Sequence, residues 1–246
     1  MERTFDILEL LSKEQHGLSL TEIGNRLDLH KSTVYRLLYV LKQRGYIEKT
    51  SHGNYRLGLE FIELSSLFLN NLELKTEAQP VLRELAGMTG NTVFLATLQE
   101  NQVVYIDKME TYNSLRKYSI IGQRAPLHCT ALGKAMLSGL PDSEIRRLCA
   151  GEPLMAFTPR TLTEVNALVA EIAKTRKRGF SIDDEEYEQG VRCIGSAICD
   201  YRDQVIAAVS TSGSTAMMPK KRVEEIGGLV LSAARDISRR MGHRET

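Results

Sequence analysis

Between Lys31 and Arg44 the chain carries two stripes at once. Val34, Leu37, Leu38 and Leu41 recur at three- and four-residue spacing, which puts them on one side of a helix. Ser32, Tyr35, Arg36, Tyr39 and Gln43 fall on another side, with Lys42 on the border. The first stripe has to be buried, whereas the second presents hydroxyls, a guanidinium and two phenols. Gly45 supplies the stop. Upstream, Ser19 and Glu22 have the spacing of a capping box, opening a helix that carries Ile23 and Leu27. Asp28-Leu29-His30 is then a short turn between two helices. An earlier helix is expected from Thr4 as its cap, with Phe5, Leu8 and Leu11 on one side and an end near Gly17. After Gly45, the runs Tyr46–Lys49 and Tyr55–Leu57 flank a polar, glycine-containing segment and predict a hairpin.

Three helices followed by a hairpin make a winged helix-turn-helix; a plain three-helix bundle with a solvated charged face is the alternative. Charge favours the first. The whole chain has 32 Lys+Arg against 31 Asp+Glu, a net +1. From Arg26 to Arg56, however, seven basic residues stand against two acidic ones, a net +5 over 31 residues, which leaves −4 for the remainder. A basic module on a mildly acidic body points to a polyanion partner for the module. The expected partner is double-stranded operator DNA. Lys31, Ser32, Thr33, Tyr35, Arg36 and Tyr39 are the expected contacts from the third helix, with Lys49 and His52 near the wing. The open N–H groups at that helix's N-terminus suit phosphate.

At 246 residues the chain is longer than one ordinary domain, so two are expected. Hydrophobic residues at 42% and charged residues at 26% fit globular domains and argue against disorder or a fibrous repeat. None of the four cysteines forms a CxxC pair, and Cys193 and Cys199 are six positions apart, which is no zinc-ribbon spacing. Charged residues crowd the N-terminus where a leader would need an apolar core, and no uncharged apolar run reaches about 18 residues. The expectation is a cytoplasmic protein with reduced thiols, no membrane span, no metal and no cofactor.

Residues 59–74 are apolar on more than one side of a helix, as expected of a connector that is either part of a core or, the favoured reading, a contact between two copies of the chain. Beyond it, strands and helices alternate irregularly: a helix at Lys75–Met88, β-rich runs at Asn91–Leu98, Gln102–Met109 and Leu115–Ile121, helices at Thr130–Ser138, Pro141–Ala150 and Leu162–Arg178, strands at Cys193–Cys199 and Val205–Ser212, and a last helix from Pro219 to Met241. This predicts an α+β body with an antiparallel sheet. If Arg202-Asp203 is a two-residue turn, Cys193 faces Ser212 and Gly195 faces Ser210, all on one side of the sheet, giving a small polar patch with room above the glycine. Small residues that merely admit a helix are the alternative. Thr130 can cap the helix beside it and leave the N–H groups of Ala131 and Leu132 open for an anion. Asp183–Glu186, four acids in a row, read as a solvated loop or the first turn of a helix rather than a metal site.

The stretch from Leu20-Thr21-Glu22-Ile23 through Lys31-Ser32-Thr33-Val34-Tyr35-Arg36-Leu37-Leu38 to Gly45-Tyr46 resembles the IclR family of bacterial transcriptional regulators. Gly122–Ala135, Gly179–Ile194 and Ala207–Gly213 are similar to that family's effector domain. The resemblance implies a winged helix over 1–58, a linker helix over 59–74 and a GAF/PAS-like effector-binding domain over 75–246. It also implies an effector site at Ala131, Leu132, Asp183, Cys193, Ser210 and Ser212, with Asp183 accepting a hydroxyl from the ligand. A ligand-responsive regulator, repressor more often than activator, forming a homodimer or a dimer of dimers, is what the family implies. Val104–Lys108, Tyr112–Ser119 and Gly122-Gln123-Arg124 look like the branch that senses keto-deoxy sugar acids, so a carboxylate ligand with hydroxyls is expected and aromatic acids are the alternative. No phosphate loop, GxGxxG, HExxH or GxSxG segment is present, so no catalytic residue is expected. The competing reading is an enzyme acting on a small acid with an attached DNA-binding domain.

Overall fold

The computed structural model describes residues 2–14, 16–64, 74–110, 121–150 and 153–244. The chain forms two compact units, 1–72 and 73–246.

In the first unit, α1 (Glu2–Ser12), α2 (Leu20–Leu27) and α3 (Lys31–Gln43) precede a hairpin of β1 (Ile47–Lys49) and β2 (Tyr55–Leu57). Ser19 caps α2 as the sequence predicts: its hydroxyl accepts from the Glu22 N–H at 3.3 Å, and the Glu22 carboxylate accepts from the Ser19 N–H at 2.8 Å. Asp28 then turns the chain at φ +51°, with Leu29 N–H donating to the Gly24 carbonyl at 2.9 Å. A Cβ on Gly24 would lie 3.0 Å from the Leu29 carbonyl oxygen, so the tight helix-turn-helix corner needs the small residue. Val34, Leu38 and Leu41 of α3 meet Ile7, Leu11, Ile23 and Ile47 in one core. The first helix departs from expectation. Thr4 lies inside it rather than capping it, Phe5 is 59% exposed, and the buried pair is Ile7 and Leu11. Leu8 packs on the same core, so of the three expected residues only Phe5 is misplaced. Replacing Ser19 with alanine should cost the unit about 1 kcal/mol by removing the cap, measured by denaturant unfolding; an unchanged midpoint would contradict it.

In the second unit six strands form one antiparallel sheet in the order β5-β4-β3-β8-β7-β6. They are β3 (Thr92–Gln99), β4 (Gln102–Met109), β5 (Arg124–Ala125), β6 (Ser181–Asp184), β7 (Val191–Cys199) and β8 (Val205–Ser214). Glu100 and Asn101 both adopt positive φ, which closes β3–β4 as a two-residue hairpin. The helices are α4 (Leu74–Thr89), α5 (Ala131–Leu137), α6 (Asp142–Leu148), α7 (Val165–Arg178) and α8 (Val223–Arg240). Strand parity sorts the packing. Val93, Leu95, Ile194, Ile198, Ala207 and Val209 face α4 and α8. Phe94, Ala96 and Ala208 pack with Leu132, Ala135 and Met136 of α5. No described helix is long and apolar enough to cross a membrane. Most of the strand expected at Leu115–Ile121 and most of the connector lie outside the described residues.

Two expectations change here. The β7–β8 loop is not a two-residue turn. Asp200 N–H donates to the Gln204 carbonyl, Asp203 adopts φ +61°, and a bulge falls between Ile198 and Cys199. The bulge absorbs the extra residue, so the predicted register of Cys193 with Ser212 and Gly195 with Ser210 holds. The acidic run is also not wholly loop or helix: Asp183 and Asp184 end β6. Strand alternation therefore buries Asp183 and turns Asp184 toward Arg192, whose Nε donates to it at 2.8 Å.

Candidate functional site

On α3 the predicted division of faces is realised. Lys31, Ser32, Thr33, Tyr35, Arg36 and Tyr39 are exposed, while Val34, Leu38 and Leu41 are buried. The two tyrosines stand 58% and 55% exposed. Val40, 52% exposed, adds an apolar position that the stripe reading missed. His30 starts the helix with no side-chain cap, so the first amides of α3 are not claimed by one. Arg26 and Arg56 are spoken for by Glu14 and Glu48. Arg36 has no acidic partner among the described residues. On the hairpin Lys49 lies over the Tyr55 ring at 5.4 Å, and His52 is exposed at the turn.

In the second unit the sheet brings four polar residues into one row. Asp183 pairs with Cys193, Cys193 with Ser212, and Ser212 with Thr92, across β6, β7, β8 and β3. The next row on the same face is Ser181, Gly195, Ser210 and Phe94. Cys193 Sγ lies 3.1 Å from Ser212 Oγ. Asp183, 3% exposed, accepts from the N–H groups of Glu186 and Tyr187 at 2.8 and 3.3 Å, which anchors the loop after β6.

The N-terminus of α5 lies on this face. Thr130 caps it, accepting from Gly133 N–H at 3.0 Å and donating to the Pro126 carbonyl at 2.7 Å. The N–H groups of Ala131 and Leu132 have no acceptor among the described residues. Gly195 is small for a different reason than expected: a Cβ there would come within 2.9 Å of the Ala131 carbonyl oxygen, and Ser181 Oγ donates to that same oxygen. There is no free space above the glycine. It lets α5 settle on the sheet, the packing alternative named above.

Several residues around the row were not singled out from the sequence. Burial holds the Tyr105 phenol far above its ordinary range, reinforced by Cys193, Tyr187 and Asp183, and Tyr105 stacks edge-on with Phe94 at 5.4 Å. Burial, then Asp183 and Glu186, pushes the Cys129 thiol up to about 12, so it stays protonated. Tyr187 packs against Phe157 at 5.1 Å, and Phe157 against His128 at 6.1 Å. Lys134 of α5, fully buried, forms an ion pair with Glu186. Burial pushes the Glu186 carboxyl up to about 7 against the pull of Lys134. One sequence signal could have found this lysine: it is the sole charge in the all-buried helix ALGKAML.

An exposed hydroxyl–tyrosine–arginine face on a helix-turn-helix, followed by a sheet with this polar row, is matched along nearly the whole chain by known proteins. Residues 1–51 match the family model described as the IclR helix-turn-helix domain, and residues 66–239 the one described as bacterial transcriptional regulator IclR C-terminal. The chain belongs to the IclR family. Among IclR-family relatives, the HTH-type transcriptional regulator KdgR of Escherichia coli is 36% identical over 244 residues, covering 99% of this chain and 92% of its own. The HTH-type transcriptional regulator XynR of the same organism is 34% identical over 244 residues, covering 99% and 97%. The crystal structure of the Agobacterium tumefaciens repressor BlcR superposes with a TM-score of 0.76 at 29% identity, covering 99% of this chain and 97% of that one. The chain is thus similar over its length to HTH-type transcriptional regulators.

Proposed function

We propose that this IclR-family chain is a ligand-controlled repressor of a catabolic operon, acting in the cytoplasm, that releases or rearranges on DNA when a small organic acid enters the body. The functional division is a winged helix over 1–58, a connector over 59–74 and an effector-binding domain over 75–246. Lys31, Ser32, Thr33, Tyr35, Arg36 and Tyr39 meet operator DNA, with Lys49 and His52 at the wing. The exposed tyrosines beside Arg36 support this half.

One observation carries the effector half: Asp183, Cys193, Ser212 and Thr92 form a polar row across four strands, on the sheet face that also carries the N-terminus of α5. The ligand's carboxylate sits at the N–H groups of Ala131 and Leu132, and its hydroxyls reach Asp183, Cys193, Ser210 and Ser212. A sugar acid fits that polarity. No turnover is part of the proposal: Cys193 lies 3.1 Å from the Ser212 hydroxyl, and burial keeps Cys129 protonated.

The test is a thermal-shift screen of sugar acids, aromatic acids and short keto acids. At about 100-fold over its Kd a ligand adds about 2.7 kcal/mol, which for a domain this size raises Tm by roughly 5–10 °C. Asp183→Asn keeps an oxygen for the Glu186 and Tyr187 N–H groups but should lose most of that shift. A response from aromatic acids alone, or an equal shift in the variant, would reject this chemistry.

Leu59, Ile62 and Leu64, at 70%, 62% and 44% exposure, support pairing of two chains through the connector, with a dimer of dimers beyond that. Light scattering should report a dimer or tetramer at micromolar concentration; a monomer would contradict it.

A further inference from the structure

At the far end of the sheet three side chains of metal-binding type meet, remote in sequence and outside the polar row described above. Cys199 closes β7, Asp203 ends the β7–β8 loop, and His243 follows α8. The fold brings them together through specific devices. Gly242, at φ +87°, donates to the Arg239 carbonyl at 3.0 Å and His243 N–H donates to the Ser238 carbonyl at 2.9 Å. This pair of bonds is a Schellman stop, which folds the chain back over the last turn of the helix. Ser238 Oγ accepts from Cys199 N–H at 3.0 Å while donating to the Ala234 carbonyl at 2.7 Å, pinning the strand end to α8. A Cβ on Gly242 would lie 3.2 Å from Tyr201 Cβ, so the hairpin loop packs directly on the stop.

The outcome is that Cys199 Sγ, an Asp203 carboxylate oxygen and a His243 ring nitrogen all lie within 4.8 Å of one another. Asp203 Oδ1 and His243 Nε2 are 3.0 Å apart. Zinc bonds of ~2.0–2.3 Å in tetrahedral geometry separate neighbouring ligands by roughly 3.3–3.6 Å. Closing on an ion therefore draws atoms now up to 4.8 Å apart together by about 1 Å.

We propose that Cys199, Asp203 and His243 form a site for a zinc-like divalent transition metal, with a fourth position open to water or an exchangeable anion. Thiolate and imidazole select such an ion over magnesium or calcium. Thiolate and carboxylate together neutralise its charge, and the site lies at the negative end of the α8 dipole. Arg235 and Arg244 line the same hollow. Their charge counts against a bare cation and favours an anion in the fourth position. Asp200 is already held by Arg202 and stays out of the ligand set. The bound ion would staple the β7–β8 hairpin to the C-terminal end of α8. This site departs from the sequence expectation of no metal, since ligands 40 residues apart carry no spacing motif.

The experiment titrates Co2+ alone into untagged, fully reduced full-length protein. One equivalent should produce a thiolate-to-cobalt charge-transfer band with the visible absorption of a tetrahedral ion, and Zn2+ should abolish it. Cys199→Ser should remove the band. His243→Gln, at the chain end where the fold is least at risk, should weaken cobalt binding at least tenfold. No band in the wild type, or a band that persists in Cys199→Ser and disappears in Cys193→Ser, would overturn the assignment.

Discussion

Replacing Lys134 with methionine should destabilise the second unit by about 3–5 kcal/mol, the cost of leaving a buried charge without its partner. The lysine side chain is fully buried and its partner Glu186 is 11% exposed. The second Glu186 oxygen, Oε2, has no hydrogen bond among the described residues, so nothing there can take over from the lysine. Methionine fills nearly the same volume, which keeps cavity cost out of the comparison. The double variant Lys134→Met/Glu186→Leu should recover most of the loss, because an apolar pair of similar size needs no desolvated charge. The pH dependence gives an independent check. The folded value of Glu186, about 7, lies above its unfolded 4.5. Its ionisation therefore costs nothing below 4.5, costs progressively more between 4.5 and about 7, and levels off above that. Without Lys134 that folded value climbs further. The single variant's deficit should accordingly be larger near about pH 8 than near about pH 5. Urea unfolding of both variants at the two pH values measures this. A deficit under about 1 kcal/mol, or one that grows toward acid, would show that the pair does not act as a coupled unit.

What the sequence disclosed follows from the range of the signal that carried it. The two faces of α3 are legible because one 13-residue segment contains both its apolar and its polar stripe. The α2 cap was legible because Ser19 and Glu22 lie three apart. The β7–β8 register was legible despite a loop one residue longer than assumed, because the bulge at Ile198/Cys199 restores the parity that decides which side chains share a face. In the first helix Leu8 and Leu11 pack on the core as the spacing predicts, and only Phe5 is misplaced, because Ile7 rather than Phe5 starts the buried face. Pairings over distance were hidden. Lys134 and Glu186 are 52 positions apart and belong to different elements. Four consecutive acids read as solvated, since composition does not show that Asp183 and Asp184 continue a strand on the sheet edge. The role of Gly195 depends on which atom lies above it, here the Ala131 carbonyl, and neither strand pattern nor residue type reveals that.

Arg36→Ala should weaken specific operator binding by roughly 5- to 150-fold per half-site, the ~1–3 kcal/mol of a base-edge contact, while leaving the fold unchanged. Arg36 is exposed midway along the outward face of α3, between Tyr35 and Tyr39, and has no acidic partner among the described residues to compete with DNA. Truncation removes no buried contact, because the core stripe of that helix is Val34, Leu38 and Leu41. Lys49 differs: it lies on the hairpin rather than on α3, its ammonium over the Tyr55 ring, and its expected partner is a phosphate rather than a base edge. Lys49→Ala should therefore lower specific and non-specific binding together and reduce the slope of log K against log salt by about 1. Fluorescence anisotropy against a site selected from genomic fragments, compared with a scrambled duplex at several salt concentrations, separates the two behaviours. If Arg36→Ala retained wild-type specific affinity, or lost specific and scrambled binding equally, α3 would not be reading bases through this residue.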